Sequence, residues 1–160
     1  MNSFFQQIYG PDYTSRFPET KLQLDWTRPQ QHNHANLIKA ILDPLKSISL
    51  VTLQQSDQLN AVENEANIVQ QLVSAYLDTK IASEPSVMIV TPHHLQRIAI
   101  KRKLEMLSNC IIPVDTVEKM QGQECELIIA CFSCTNNKRS RNNEFLRDFR
   151  RWNVALSRAR

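Results

Sequence analysis

A chain of 160 residues, 42% hydrophobic and 22% charged, suits one globular domain with a core of ordinary size. No window approaches about 18 uninterrupted apolar residues, and no basic region followed by an apolar one opens the chain, so a membrane span and a secretory leader are both unsupported. The expected setting is nuclear or cytoplasmic. The net charge of +3 is unevenly placed: from Asn136 to Arg160 eight basic residues stand against Glu144 and Asp148, so an anionic partner would be sought there. A solvated helix face with a basic tail would look the same.

Along the chain, "NSFFQQIY" (2–9) carries an apolar helical stripe that Gly10 and Pro11 break. Residues 12–45 are the least legible part, with Pro18, Pro29 and Pro44 implying loops around one short helix near "ANLIKAIL". "SISLVTLQ" (47–54) is rich in β-branched residues and predicts a strand. In "NEANIVQQLVSAYLDTK" (64–80), Ala66, Val69, Val73 and Leu77 join Ile68, Leu72 and Tyr76 on one broad helical face. A strand "SVMIVT" (86–91) follows, then a helix over 94–107 entered just after Pro92, then strands "IIPVDT" and "ELIIACFS" (126–133). The last segment, from Glu144 to Arg160, reads mostly as helix. Strands this uniformly apolar are expected where both faces of a sheet are covered, so the predicted fold class is α/β with a mainly parallel sheet. Ligands of such a sheet gather beyond the carboxyl ends of its strands, which points at "TPHHLQ", "TVEKMQGQE" and "SCTNN".

The glycine count excludes several site types. Phosphate loops need glycines at fixed spacing because backbone amides must approach the phosphates closely. Gly10 and Gly122 are the only two here, so neither GxxxxGK[ST] nor GxGxxG can be built. GxSxG fails on the same count. A metal-dependent nuclease using Asp115, Glu124 and Glu126 with Lys119 nearby stays open as a minor alternative. Cys110, Cys125, Cys131 and Cys134 lie in or beside apolar runs, which fits reduced thiols better than disulfides. The Cys131/Cys134 pair lacks the second pair that tetrahedral zinc wants.

Two stretches carry a resemblance. "VDTVEKMQGQECELIIACFS" (114–133) resembles motif V, and "RRWNVALSRAR" (150–160) resembles motif VI, of superfamily 1 helicases in the branch of the nonsense-mediated-decay RNA helicase and the replication helicase-nucleases. "VMIVTPHHLQRIAIKRKL" is similar to the segment before motif V in that branch. The resemblance covers 87–160 well and 1–86 only loosely. It implies that the chain, 1–160, is a second RecA-like motor domain, with helices on both faces of a mainly parallel sheet, incomplete at both ends. By the same resemblance, Arg158 matches the arginine finger of ATP hydrolysis, Glu124 a nucleotide-binding glutamate, Gln121 and Gly122 the turn that places it, and Arg151 a further nucleotide contact. Thr91, Pro92 and Thr116 match positions along a single-strand DNA or RNA backbone. ATP with Mg would be held mainly by a first RecA-like motor domain, which is absent here. The chain is therefore expected to be inactive as an ATPase on its own and to have no membrane partner.

Simpler readings stand beside these. Glu124 also fits a solvated turn, and Arg158 an arginine on a last helical turn. Thr91 before Pro92 also reads as a strand stop, Trp152 as core, and Arg151 as the partner of an acid. His93 and His94 replace the aromatic that the family often has after Thr-Pro, which puts a stacking contact there in doubt. The alternative to a motor domain is a non-catalytic nucleic-acid-binding or adaptor module with a degenerate motor fold.

Overall fold

Val87–Val90 is apolar at all four positions because it is the middle strand of a sheet, with every residue buried. The computed structural model describes residues 6–7, 10–12, 14, 20–27, 35–53, 58–81, 84, 86–107, 111–132, 149–157 and 159. Within them lie α1 (Ala35–Ile41), α2 (Gln58–Thr79), β1 (Val87–Val90), α3 (His94–Leu104), β2 (Val114–Asp115), β3 (Leu127–Ala130) and α4 (Phe149–Leu156). The sheet order is β2-β1-β3, and both ladders are parallel. Ile89 and Val90 pair with Val114 and Asp115, while Val87 to Val90 run in register with Leu127 to Ala130.

Alternation along β1 sends side chains to two different cores. Val87 and Ile89 join Val114 and Cys131 against Ile38 and Leu42, against Val69, Leu72, Val73 and Tyr76 of α2, and against Ile100 and Leu104 of α3. Met88 and Val90 point the other way, into a smaller core with Val117, Met120 and Cys125 from the β2–β3 connection and Ala155 from α4. Helices cover one face, and turns with the short α4 cover the other, so both faces are covered as the apolar strands required. The helical stripe of α2 holds as predicted: Val69, Leu72, Val73 and Tyr76 are buried, and Ile68 and Leu77 pack against them. The helix starts earlier than its apolar pattern, at Gln58.

Three strand expectations shrink. Of "IIPVDT" only Val114 and Asp115 pair, because Ile111 lies at the surface and only the last residues reach β1. "ELIIACFS" reduces to Leu127–Ala130. "SISLVTLQ" is corrected outright: residues 47–53 form no ladder among the described residues, and Ile48, Leu50 and Val51 are exposed. β-Branched composition favours a strand only where a neighbouring strand and a packed face exist to receive it. Here the segment's described tether is the Ser49 hydroxyl, which donates to the Ile41 carbonyl at 2.8 Å. An isolated antiparallel bridge, Leu24 to Lys80, ties an early segment to the end of α2.

Candidate functional site

At the carboxyl end of β1 the chain turns through Thr91, Pro92 and His93 into α3. The Thr91 amide still donates to the Asp115 carbonyl at 3.0 Å, so the sheet ladder reaches one residue past the strand. Its hydroxyl is fully buried and donates to Gln96 Oε1 at 2.6 Å. Gln96, equally buried on the inner face of α3, donates its Nε2 to Glu65 of α2. The Cys131 thiol, just past β3, also donates to Glu65, and burial together with that carboxylate pushes it well up. A polar chain thus joins the ends of β1 and β3 to two helices. Buried polar groups persist where each finds its partners, and this chain supplies them internally.

Beside it, β2 ends on a charged cluster. The Asp115 carboxylate accepts from Arg97 Nη1 at 2.8 Å and from the Thr116 amide at 2.9 Å, with Lys119 Nζ at 3.6 Å. Burial alone would raise Asp115, but the amide and the two cations outweigh it and hold the carboxyl below its ordinary range. Arg97 Nη2 also meets His94 Nδ1 at 2.9 Å. Thr91, Pro92 and Thr116, predicted from separate stretches, therefore end adjacent strands on the same side of the sheet. Their side chains differ in aspect: the Thr91 hydroxyl faces inward, whereas Thr116 and Pro92 are half-buried. His93 is half-buried too. Its Nε2 is shielded from solvent without a hydrogen-bond partner among the described residues, and burial lowers its pKa.

From Thr116 the chain crosses the Met88/Val90 face through turns instead of a helix, with the amides of Lys119 and Met120 donating to the Thr116 carbonyl at 3.2 Å. A second turn closes where the Gln123 amide meets the Met120 carbonyl at 3.3 Å, and here Gly122 adopts φ +83°. A Cβ added at Gly122 would meet no atom within 4 Å, so the positive φ, and not crowding by the protein, is what requires glycine. Gln121, Gly122 and Glu124 are exposed.

The next residue, Cys125, forms a parallel bridge with Ala159, which joins the predicted motif V loop to the end of the predicted motif VI. Arg151 of α4 reinforces the junction through Nε, 3.4 Å from Glu118 Oε1. The expectation that Arg151 pairs with an acid is met in this geometry. Arg158 lies outside the described residues, as do the side chain of Trp152 and the stretch "SCTNN". The minor nuclease alternative loses its constellation: Asp115 is committed to Arg97, Glu126 accepts from the Tyr76 hydroxyl at 2.9 Å near the opposite end of the sheet, and no group of three metal-ligating side chains occurs among the described residues. Cys125 and Cys131 are buried and form no disulfide among the described residues, while Cys110 and Cys134 lie outside the described residues. No helix among the described residues is long and apolar enough to cross a membrane.

The sequence alone does not reveal the buried roles of Glu65, Gln96 and Arg97 or the structural part of Asp115, and nothing in the spacing of Gln96 marks it as buried.

Comparison with known proteins supplies the remaining observation. Residues 14–160 match the sequence family described as an AAA domain. The helicase sen1 of Schizosaccharomyces pombe is 37% identical over 106 residues, covering 64% of this chain and 6% of that protein. The DNA replication ATP-dependent helicase/nuclease DNA2 of Xenopus laevis is 30% identical over 147 residues, covering 87% of this chain and 13% of its own length. The corresponding S. pombe helicase/nuclease dna2 is 27% identical over 139 residues, 82% of this chain and 10% of that protein. The chain thus spans a small part of the length of these relatives.

Proposed function

Because the chain belongs to the AAA-domain family that it matches and, with it, to the superfamily 1 helicases of the replication and nonsense-mediated-decay branch, we propose that it is the second motor domain of an ATP-dependent DNA or RNA helicase. The observation that supports this most is the Cys125–Ala159 bridge, flanked by the Arg151–Glu118 pair. It brings together residues 34 positions apart in sequence (159 − 125), from two stretches that this family uses on one side of a nucleotide.

In this reading the site is half of a cleft. Gln121, Gly122 and Glu124 present an exposed loop to ATP, Arg151 comes from the helix beside it, and Arg158, outside the described residues, supplies the arginine finger. The residues fit that partial role: they offer an amide, a carboxylate and guanidinium groups, but no phosphate loop and, among the described residues, no set of carboxylates for Mg. Mg and the phosphates are therefore held chiefly by the first motor domain. An arginine finger stabilises charge on the transferring phosphoryl group, a task that suits a planar cation able to bond two oxygens. Across the sheet end, Thr116 and the Thr91–Pro92 turn lie along a single strand whose backbone is bound without base readout. The domain works in the nucleus or cytoplasm, with single-stranded DNA or RNA and the first motor domain as partners.

The test is ATP turnover. The 160-residue chain alone is expected to hydrolyse none. The product of a reading frame that also encodes a GxxxxGK[ST] loop is expected to hydrolyse ATP, and Arg158→Ala in it should lower kcat by about 10³-fold or more. Turnover by the isolated chain that Arg158→Ala abolishes would overturn the proposal. A reading frame with no such loop would favour the adaptor module.

A further inference from the structure

Gln96 and Arg97 are neighbours in the first turns of α3, and each reaches a different strand end. Gln96 turns inward and accepts from the Thr91 hydroxyl at 2.6 Å while donating to Glu65. Arg97 turns toward β2 and grips the Asp115 carboxylate at 2.8 Å, the same oxygen that takes the Thr116 amide at 2.9 Å. Two successive residues thus fix the positions after β1 and β2, and Glu65 extends the first linkage to Cys131 after β3. The Thr91 hydroxyl, being buried and committed to Gln96, is not available to a ligand. What the β1 end can present is its Pro92–His93 backbone, and what the β2 end can present is the Thr116 hydroxyl.

We infer that Gln96 and Arg97, with Glu65 and Asp115 as their anchors, are positioning residues for single-strand binding: they set the spacing between the Thr91–Pro92 turn and Thr116. The inference rests on the nucleic-acid reading of those strand ends given above. The physical reason is that a phosphate backbone has a fixed repeat, so two contacts on separate strand ends work together only if their separation is held. The three strands are short, and among the described residues no ladder holds their ends beyond Thr91 and Asp115. α3 supplies that hold with one polar side chain and one charged side chain. Thr91 accordingly acts through Gln96 and not by touching the strand.

The chain itself tests this by fluorescence anisotropy with labelled oligo-dT and oligo-rU, over about 50 to 200 mM salt. Gln96→Leu and Arg97→Gln are each expected to raise Kd about tenfold at every salt concentration, with the fraction of binding-competent protein unchanged. A folding defect would instead lower that competent fraction. The double variant Arg97→Gln/Asp115→Asn, which replaces the ion pair with an amide pair, should recover affinity to within about twofold, because a positioning role needs the linkage and not the charge. If Arg97 itself bound a phosphate, the double variant would stay weak and the slope of log Kd against log salt would fall by about one, which overturns the inference. It is also overturned if Gln96→Leu and Arg97→Gln bind like the unaltered chain while Thr116→Ala binds weakly, a result that leaves the nucleic-acid reading standing. Absence of salt-dependent binding by the unaltered chain overturns that reading and this inference together.

Discussion

On one face of the sheet, Val87 and Ile89 meet the long α2 and α3 in a core that also takes in α1; on the other, Met88 and Val90 meet a run of turns and the short α4. The first face carries no residue of the predicted nucleotide site. The second is built from the stretches predicted to bind nucleotide, so Val117, Met120, Cys125 and Ala155 serve as both the core and the support of the site. Stability and function should therefore separate by face, with substitutions under α2 and α3 unfolding the chain and those under the turns loosening the site. Local stability follows buried apolar contact, and the turn-covered face has less of it.

The largest expected effect lies on the helix-covered face. Ile89 is fully buried in the middle of β1, and Ile89→Ala should cost about 2 to 5 kcal/mol, read from urea unfolding. Val90→Ala, one residue along and facing the turns, should cost less, about 1 to 2 kcal/mol, yet raise Kd for nucleotide more than Ile89→Ala does. Equal stability losses with equal binding losses would break the comparison.

Next in size is the amino end of the sheet, which no ligand reading involves. Tyr76, fully buried, donates to Glu126 at 2.9 Å and accepts from the Ser86 amide at 3.0 Å, joining α2 to the starts of β1 and β3. Tyr76→Phe keeps the ring but leaves the Ser86 amide without its acceptor, while the exposed Glu126 turns to water, so about 1 to 3 kcal/mol should be lost with Kd unchanged. Burial first, and then Glu126, raise this phenol to about 12 despite the Ser86 amide. Because the folded value lies above the ordinary 10, the stabilisation is complete below pH 10 and is lost as pH rises toward 12. Between pH 10 and 12 the urea midpoint should therefore fall less steeply in Tyr76→Phe than in the unaltered chain, which urea unfolding at a series of pH values would measure.

Gly122 sharpens the turn-covered face. At φ +83° a side chain is strained even in open space, so Gly122→Ala should cost about 1 kcal/mol. Gly122→Asn, which tolerates the left-handed region better, should recover part of that loss in the same urea titration.

These contrasts also mark what could be read from residues alone. The middle strand was legible because four apolar residues in a row demand cover on both sides. α2 was legible because its apolar stripe keeps helical period over 17 residues. The run 47–53 misled because β-branched composition says nothing about whether a partner strand is there to pair with it. Gln96 was hidden for the opposite reason: a glutamine on an amphipathic helix reads as solvent-facing, and only the fold reveals that Thr91 and Glu65 satisfy it in the interior. Gly122 was legible as a turn, but the dihedral that demands it was not.

The smallest effect sits where the two faces meet, at His93. Its ring is half-buried at the entry to α3, with Nε2 shielded and without a partner among the described residues, so burial holds its pKa below the ordinary 6.5. The neutral ring is the form the fold accommodates. Between the lowered folded value and 6.5 the unfolded chain binds the extra proton and the folded chain does not, so stability is whole above 6.5 and is lost as pH falls below it. The urea midpoint should thus decline as pH falls below 6.5, and His93→Gln should make that decline shallower while His94→Gln leaves the His93 component in place. An unchanged slope in His93→Gln would mean that the Thr91–Pro92–His93 turn opens freely enough to hydrate the ring. In that case Gln96 could not be holding the β1 end as tightly as its buried bonds imply, and the contrast between a fixed sheet end and a looser turn-covered face would weaken with it.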